Sequence, residues 1–382
     1  MDYLATGEVT LTELVSMLRN VYTLFATTQV SWLTVPRNGH NSGRLPLCVC
    51  VPRGLQQGSP LHARPQSGHV VVWISGGALF RINRWVLSFC VRSMAAQGHT
   101  VVAPLYATSR PLTFVVMQAA ALAGLGCWLL GARLLLATAI AAVYATVRLA
   151  YGPAHPQHVR DVASAIAWVC NEYRTALHEE PSLVVGGHSA GGQLACFLWM
   201  QGNWLREAGC DAAAIRGVLL HSPALDWTWL TGAPAWVRTL ACTYVDAQFA
   251  GSSLHDVSPL VLARAAELAD VPLLLLGAPD EFGWFLNQHV ADRVICLPSF
   301  SARLTQAGVR HWLEYTPNGR HIGSLLYAPP WWRTTAHPFW NAVVAQRDGK
   351  RSAPHEYKHA TITEPGRGGR RSKSPVLRHR RQ

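Results

Sequence analysis

Residues 183–201 constrain the fold more than any other stretch. Ser182-Leu183-Val184-Val185 is a short apolar run, Gly186 to Gly192 reads Gly-Gly-His-Ser-Ala-Gly-Gly, and Gln193 to Met200 is apolar again, now at helical spacing. A buried strand, a turn crowded by small residues and a helix are the parts of one unit, and the unit is stable only inside a sheet covered on both faces. The small neighbours let the chain pass close to itself at the turn.

The surrounding sequence supplies that sheet. Strands are expected at 45–51, 69–75, 100–106, 183–187, 215–222, 271–278 and 311–316. Between them, helical periodicity covers 84–97, 158–173 and 191–201. Alternation of this kind predicts an α/β fold with a mostly parallel sheet covered by helices. Apolar positions from Leu11 to Phe25 predict an amphipathic helix over 11–33, within an N-terminal lead-in of 1–44. One α/β domain is expected over 45–345, and a basic tail without periodicity over 346–382.

Charge and cysteine content exclude several function classes. From Arg347 onward stand 11 Lys or Arg and 3 acids, so the tail holds most of the formal +12, and the basic balance describes a tail rather than a nucleic-acid groove. The 9 cysteines are scattered, with no CxxC pair and no histidine pair at ligand spacing, so no metal site is expected. They read as reduced thiols, with Cys170, Cys196 and Cys296 as small buried hydrophobes. Cys48 and Cys50 share one face of a strand, too poorly placed to bond to each other. The start Met1-Asp2-Tyr3 shows no basic segment leading into an apolar core, so no signal peptide is expected.

Residues 113–150 interrupt the α/β pattern. Thr113 to Ala132 carries no charge, Arg133 follows, and Leu134 to Val147 is again uncharged. About 20 residues at ~1.5 Å each span roughly 30 Å, the apolar thickness of a bilayer. Both ends belong to one folded domain, so the segment is a two-crossing hairpin, a re-entrant dip, or a pair of apolar helices packed on the domain. The expectation is an apolar helical hairpin embedded in a membrane. Arg110, Arg148 and the tail then place the domain on the cytosolic side, with the endoplasmic reticulum one candidate organelle.

Gly187-His188-Ser189-Ala190-Gly191 matches Gly-x-Ser-x-Gly, a pattern that a random chain of this length shows about one time in eight. The strand before it and the helix after it are what raise Ser189 to a candidate nucleophile. An oxyanion at the attacked carbonyl needs backbone N–H donors. Ala190, the residue after the serine, is one candidate. Gly76 and Gly77, in the loop after the 69–75 strand, are the others.

The acid and base are expected downstream in that order. Asp280 follows the 271–278 strand and is the first choice, with Glu281 as its rival; Asp226 and Asp256 read as cap or surface residues. His321, in the loop after the 311–316 strand, is the expected base. Among rival histidines, His188 is expected to point away from the site, His311 starts a strand, and His255 stands beside an acid.

From about residue 45 to 340 the chain resembles the α/β-hydrolase superfamily. Within it the likeness is to the carboxylesterase branch containing isoprenylcysteine methylesterase and kynurenine formamidase. HVVVWISGGALF, AIAWVCNEY, LVVGGHSAGGQLA, LLLLGAPDE and LEYTPNGRHIG carry the likeness. It implies Ser189 as nucleophile, Asp280 as acid, His321 as base, and Gly76, Gly77 and Ala190 as oxyanion donors. It also implies a serine ester hydrolase without cofactor or metal. The substrate would be a small-molecule or lipid-linked ester, such as a prenylcysteine methyl ester. Membrane lipids would be partners, and nucleic acid would not. Another lipophilic ester, a formamide, or an inactive membrane scaffold are the alternatives. Leu79 replaces a usual aromatic, and Leu105-Tyr106-Ala107 replaces a frequent Asp-Tyr-Arg.

Overall fold

The computed structural model describes residues 22–37, 43–53, 61, 65, 67–79, 82–108, 131, 153–235, 238, 245, 248–249, 252–263, 270–278, 281, 292–316, 321 and 337–348. The tail from 352 onward forms a separate unit of the chain and lies outside them, as does the expected hairpin apart from Gly131.

Eight strands form one sheet: β1 (Thr28–Pro36), β2 (Arg44–Pro52), β3 (Val70–Ile74), β4 (Thr100–Pro104), β5 (Leu183–His188), β6 (Ile215–His221), β7 (Leu273–Gly277) and β8 (His311–Tyr315). Their order is β1-β2-β4-β3-β5-β6-β7-β8. The β1–β2 and β2–β4 pairs are antiparallel and all others parallel. β3 and β7 are apolar throughout, β5 is polar only at its terminal His188, and β6 only at Arg216 and its terminal His221, as strands covered on both faces require.

Alternate residues of each strand feed two cores. Val70, Val72, Ile74, Val185 and Leu220 point to one face, where α2 (Gln157–Leu177) and α3 (Ala190–Met200) pack, while α1 is Arg84–Ala95 on the other side. There Val71, Trp73, Val101, Val184 and Leu219 meet α1, together with Phe339, Trp340 and Val343 of α4 (Pro338–Arg347). Gly217 is glycine because a Cβ there would lie 2.6 Å from Val343 and 3.0 Å from Phe339.

The expected helix over 11–33 is corrected at its C-terminal end, since Thr28–Pro36 is strand β1. Thr28, Val30, Thr34 and Val35 are β-branched and favour extended backbone. All nine residues pair with β2, so the sheet begins inside the presumed lead-in. The first part of that helix, residues 11–21, lies outside the described residues. Helix α4 continues to Arg347, two residues past the expected domain end.

Cys48 and Cys50 are buried side by side on the α1 face, and burial pushes their thiols up to about 12 and about 11. The Cys170 and Cys210 sulfurs lie 3.1 Å apart without a disulfide between them. Among the described residues no helix is long and apolar enough to cross a membrane.

Asp161 is the main polar group of the α2 core face. Only 1% of it is exposed, and it accepts from Arg37 at 3.1 Å, the Ala107 amide at 2.8 Å and Gln157 at 2.7 Å. It thereby ties the end of β1, the chain leaving β4 and the start of α2. Removing it strands a partly buried N–H and a partly buried guanidinium. Asp161→Ala is expected to lower unfolding free energy by about 3 kcal/mol in urea titration.

Candidate active site

The parallel strands end on one common row. Ile74 stands opposite Gly187, His188 opposite His221, His221 opposite Leu276, and Gly277 opposite Tyr315. The loops that carry Gly76, Ser189, Ser222, Glu281 and His321 therefore leave the same edge of the sheet. Ligands of open α/β sheets collect at such a carboxyl edge.

Ser189 stands at the turn between β5 and α3 with φ 54° and ψ −123°. This is a conformation that only glycine adopts without cost. The turn is held by the Ser189 amide donating to the His221 carbonyl at 2.9 Å and by the Gln193 amide donating to the Ser189 carbonyl at 3.0 Å. Crowding explains the small residues on either side. A Cβ at Gly187 would lie 2.5 Å from the Gly191 backbone, and one at Gly191 would overlap the Ile74 carbonyl. The serine itself is half-buried while both its neighbours are buried, so its side is the one that opens outward.

The β3 loop lies directly against this turn. A Cβ on Gly76 would be 2.8 Å from the His188 carbonyl oxygen and 3.0 Å from Ser189 Cβ. Gly77, Ala78 and Leu79 then follow with φ of 129°, 51° and 61°. Three successive residues in the left-handed region turn this loop sharply after the strand. The Tyr106 hydroxyl donates to the Ser75 carbonyl at 2.9 Å and anchors the loop's base. Ala190 is the first residue of α3, where backbone N–H groups have no acceptor within the helix. Gly76 thus lies against Ser189 from the β3 loop, Gly77 follows it, and Ala190 begins the helix that leaves the serine.

Glu281 and His321 meet across the neighbouring loops. His321 Nδ1 is 2.8 Å from Glu281 Oε2, and the His321 amide donates to the Glu281 carbonyl at 2.8 Å. Glu281 Oε1 accepts from the Ser222 hydroxyl at 2.7 Å and the Ala278 amide at 2.8 Å. Burial opposes charge on Glu281, but the bonded, nearby His321 and the Ala278 and Ser222 donors outweigh it and hold the carboxyl below its ordinary value. A carboxylate can only accept, so Nδ1 carries the proton. In the neutral ring Nε2 then keeps the lone pair that a general base needs.

The carboxylate on the histidine is therefore Glu281, the rival of the first choice. Asp280 lies outside the described residues. The expectation for His188 is corrected. Rather than pointing away, its ring stands 4.6 Å from that of His321, and its Nε2 lies 2.9 Å from the His321 carbonyl oxygen. Ser222 and Tyr106 are further site residues that sequence reasoning missed, because hydroxyls gain meaning only from the groups they meet.

The other rivals are structural. Asp226 accepts from the amide and hydroxyl of Thr228, Asp256 from the Ser253 hydroxyl, and His311 bonds Ser301 and the Val309 carbonyl.

A strand–elbow–helix with a serine at positive φ, an eight-stranded sheet in this order and a carboxylate–imidazole pair on its carboxyl edge define the α/β-hydrolase fold. A family model described as an alpha/beta hydrolase fold matches residues 130–274, which include Ser189 and stop short of Glu281 and His321. Solved structures of the same architecture include a fungal esterase from Rhizomucor miehei, 16% identical, covering 87% of this chain and 88% of that one at a TM-score of 0.52. A thermostable esterase from Pseudomonas putida is 15% identical over 91% and 92% of the two chains, with a TM-score of 0.51. A bacterial heroin esterase is 19% identical over 87% and 89%, with a TM-score of 0.50. No curated protein sequence matches this one.

Proposed function

We propose that this chain is a serine hydrolase of carboxylic esters that works through an acyl-enzyme. The observation that carries the reading is the 2.8 Å contact between His321 Nδ1 and the buried Glu281 carboxylate, on the edge where Ser189 stands at φ 54°. Ser189 Oγ attacks the ester carbonyl carbon while His321 Nε2 takes its proton. Glu281 fixes the imidazole tautomer and stabilises the imidazolium. The Ala190, Gly76 and Gly77 amides receive the oxyanion. His321 returns the proton to the departing alcohol, then deprotonates a water that attacks the acyl carbon. The carboxylic acid leaves and Ser189 regains its proton.

A lipophilic ester is the favoured substrate, with a prenylcysteine methyl ester the sharpest case and formylkynurenine the formamide alternative. The preference rests on the resemblance and on the largely apolar 113–150 stretch. Association with a membrane surface is part of the same reading. Trp85 is 82% and Trp32 50% exposed, and Arg84 lies over the Trp32 ring at 5.4 Å. Exposed tryptophan beside arginine is the composition of a membrane interface.

A fluorophosphonate probe tests the class: wild type should be labelled covalently at Ser189, and an unlabelled wild type would favour the inactive scaffold. Parallel assays on farnesylcysteine methyl ester, short p-nitrophenyl esters and formylkynurenine separate the substrates. Liposome flotation should weaken for the Trp32→Ala/Trp85→Ala double variant; unchanged flotation removes that surface from the reading.

A further inference from the structure

His321 is held at three polar atoms. Its amide donates to the Glu281 carbonyl at 2.8 Å, its Nδ1 meets Glu281 Oε2 at 2.8 Å, and its carbonyl oxygen lies 2.9 Å from His188 Nε2. The first two bonds come from one residue, in the loop after β7. The third comes from the last residue of β5, next in sequence to Ser189.

From this we infer that His188 is a positioning residue, whose Nε2–H holds the His321 main chain in register with the nucleophile. The inference rests on the hydrolase reading above. A carbonyl only accepts, so Nε2 of His188 must carry the proton. Burial, reinforced by the nearby His321 and His221, drives its pKa well below the ordinary histidine value, so the ring stays neutral and its tautomer is set. His221 packs edge-on at 5.4 Å and 87°.

The opposite edge of the ring faces the β3 loop, where a Cβ on Gly76 would be 2.8 Å from Nδ1. One buried imidazole therefore spans from the β3 loop to the loop of the base. Glu281 orients the ring of His321, whereas His188 sets where the residue stands. Displacing a base by about 1 Å can cost about 100-fold in rate without touching substrate binding.

The test compares wild type, His188→Leu, His188→Asn and His188→Gln, with Ser189→Ala as the blank. Each is followed by kcat, KM, fluorophosphonate labelling rate and thermal melting. Leu removes the donor, Asn keeps an amide that falls short, and Gln brings its N–H near the original Nε2. The expected result is a drop in kcat and labelling rate of about 30–100-fold for Leu and Asn. KM should stay within about 3-fold, and Gln should recover at least about ten-fold of the loss. Equal rates in folded Leu, Asn and wild-type proteins overturn the inference while leaving the hydrolase standing. So does failure of all three variants to fold, which would make His188 a packing residue. A wild type that neither labels nor turns over ester overturns the hydrolase reading and this inference with it.

Discussion

Ser189→Ala should abolish fluorophosphonate labelling and lower ester turnover by about five to six orders of magnitude, to the detection limit of a p-nitrophenyl ester assay. The protein should still fold, because alanine keeps the Cβ and the turn depends on backbone bonds to His221 and Gln193. A paired measurement checks that the serine is held at a cost. At φ 54° and ψ −123° a non-glycine residue carries of order 1–3 kcal/mol of strain. Ser189→Gly should therefore unfold at higher temperature than Ser189→Ala, though both are inactive. Activity persisting in Ser189→Ala would move the chemistry elsewhere. Ser189→Gly melting no higher than the alanine variant would show the turn unstrained.

Glu281→Gln should lower kcat by about four orders of magnitude with little change in KM. A glutamine amide facing Nδ1 can donate, which favours the tautomer with its proton on Nε2 and removes the base. Asp280→Asn should stay within about 3-fold of wild type; the reverse pattern would return the role to Asp280. The carboxylate also has a stability signature. Its folded-state pKa is depressed from the ordinary value of 4.5, so its contribution is present above that value and lost as pH falls through the lowered one. The stability gap between wild type and Glu281→Gln should thus be full at pH 6–7 and close at lower pH, as read by urea unfolding.

The strands and the elbow were legible because their patterns are local. Seven strands were expected and found with every end within two residues, since continuous apolar runs bounded by Gly and Pro read alike wherever they occur. β1 was missed because it is an edge strand. Only Thr28 and Val35 of its nine residues are buried, so its sequence lacks the apolar run that marks a central strand. The helical spacing from Leu11 to Phe25 then extended over it.

The choice between Asp280 and Glu281 shows the limit most plainly. The two acids are adjacent in one loop, and no local pattern separates them. The meeting of the Ala278 amide, the Ser222 hydroxyl and His321 on one carboxylate decides between them, and these groups come from three loops. His188 differs in kind. Alternation along β5 fixed only which face its side chain leaves, while the bond to His321 depends on a loop 133 positions away.

The sequence by itself determined that a serine would stand on a strained turn, between a buried strand and a helix in a parallel sheet. Apolar runs and small residues dictate that much through backbone sterics and burial. Tertiary structure alone decided which carboxylate answers His321, and that the histidine beside the serine meets the His321 carbonyl. Those contacts arise where loops from β3, β5, β6, β7 and β8 converge on one edge of the sheet, and hydrogen-bond geometry between distant residues is set only after the sheet has aligned its strand ends.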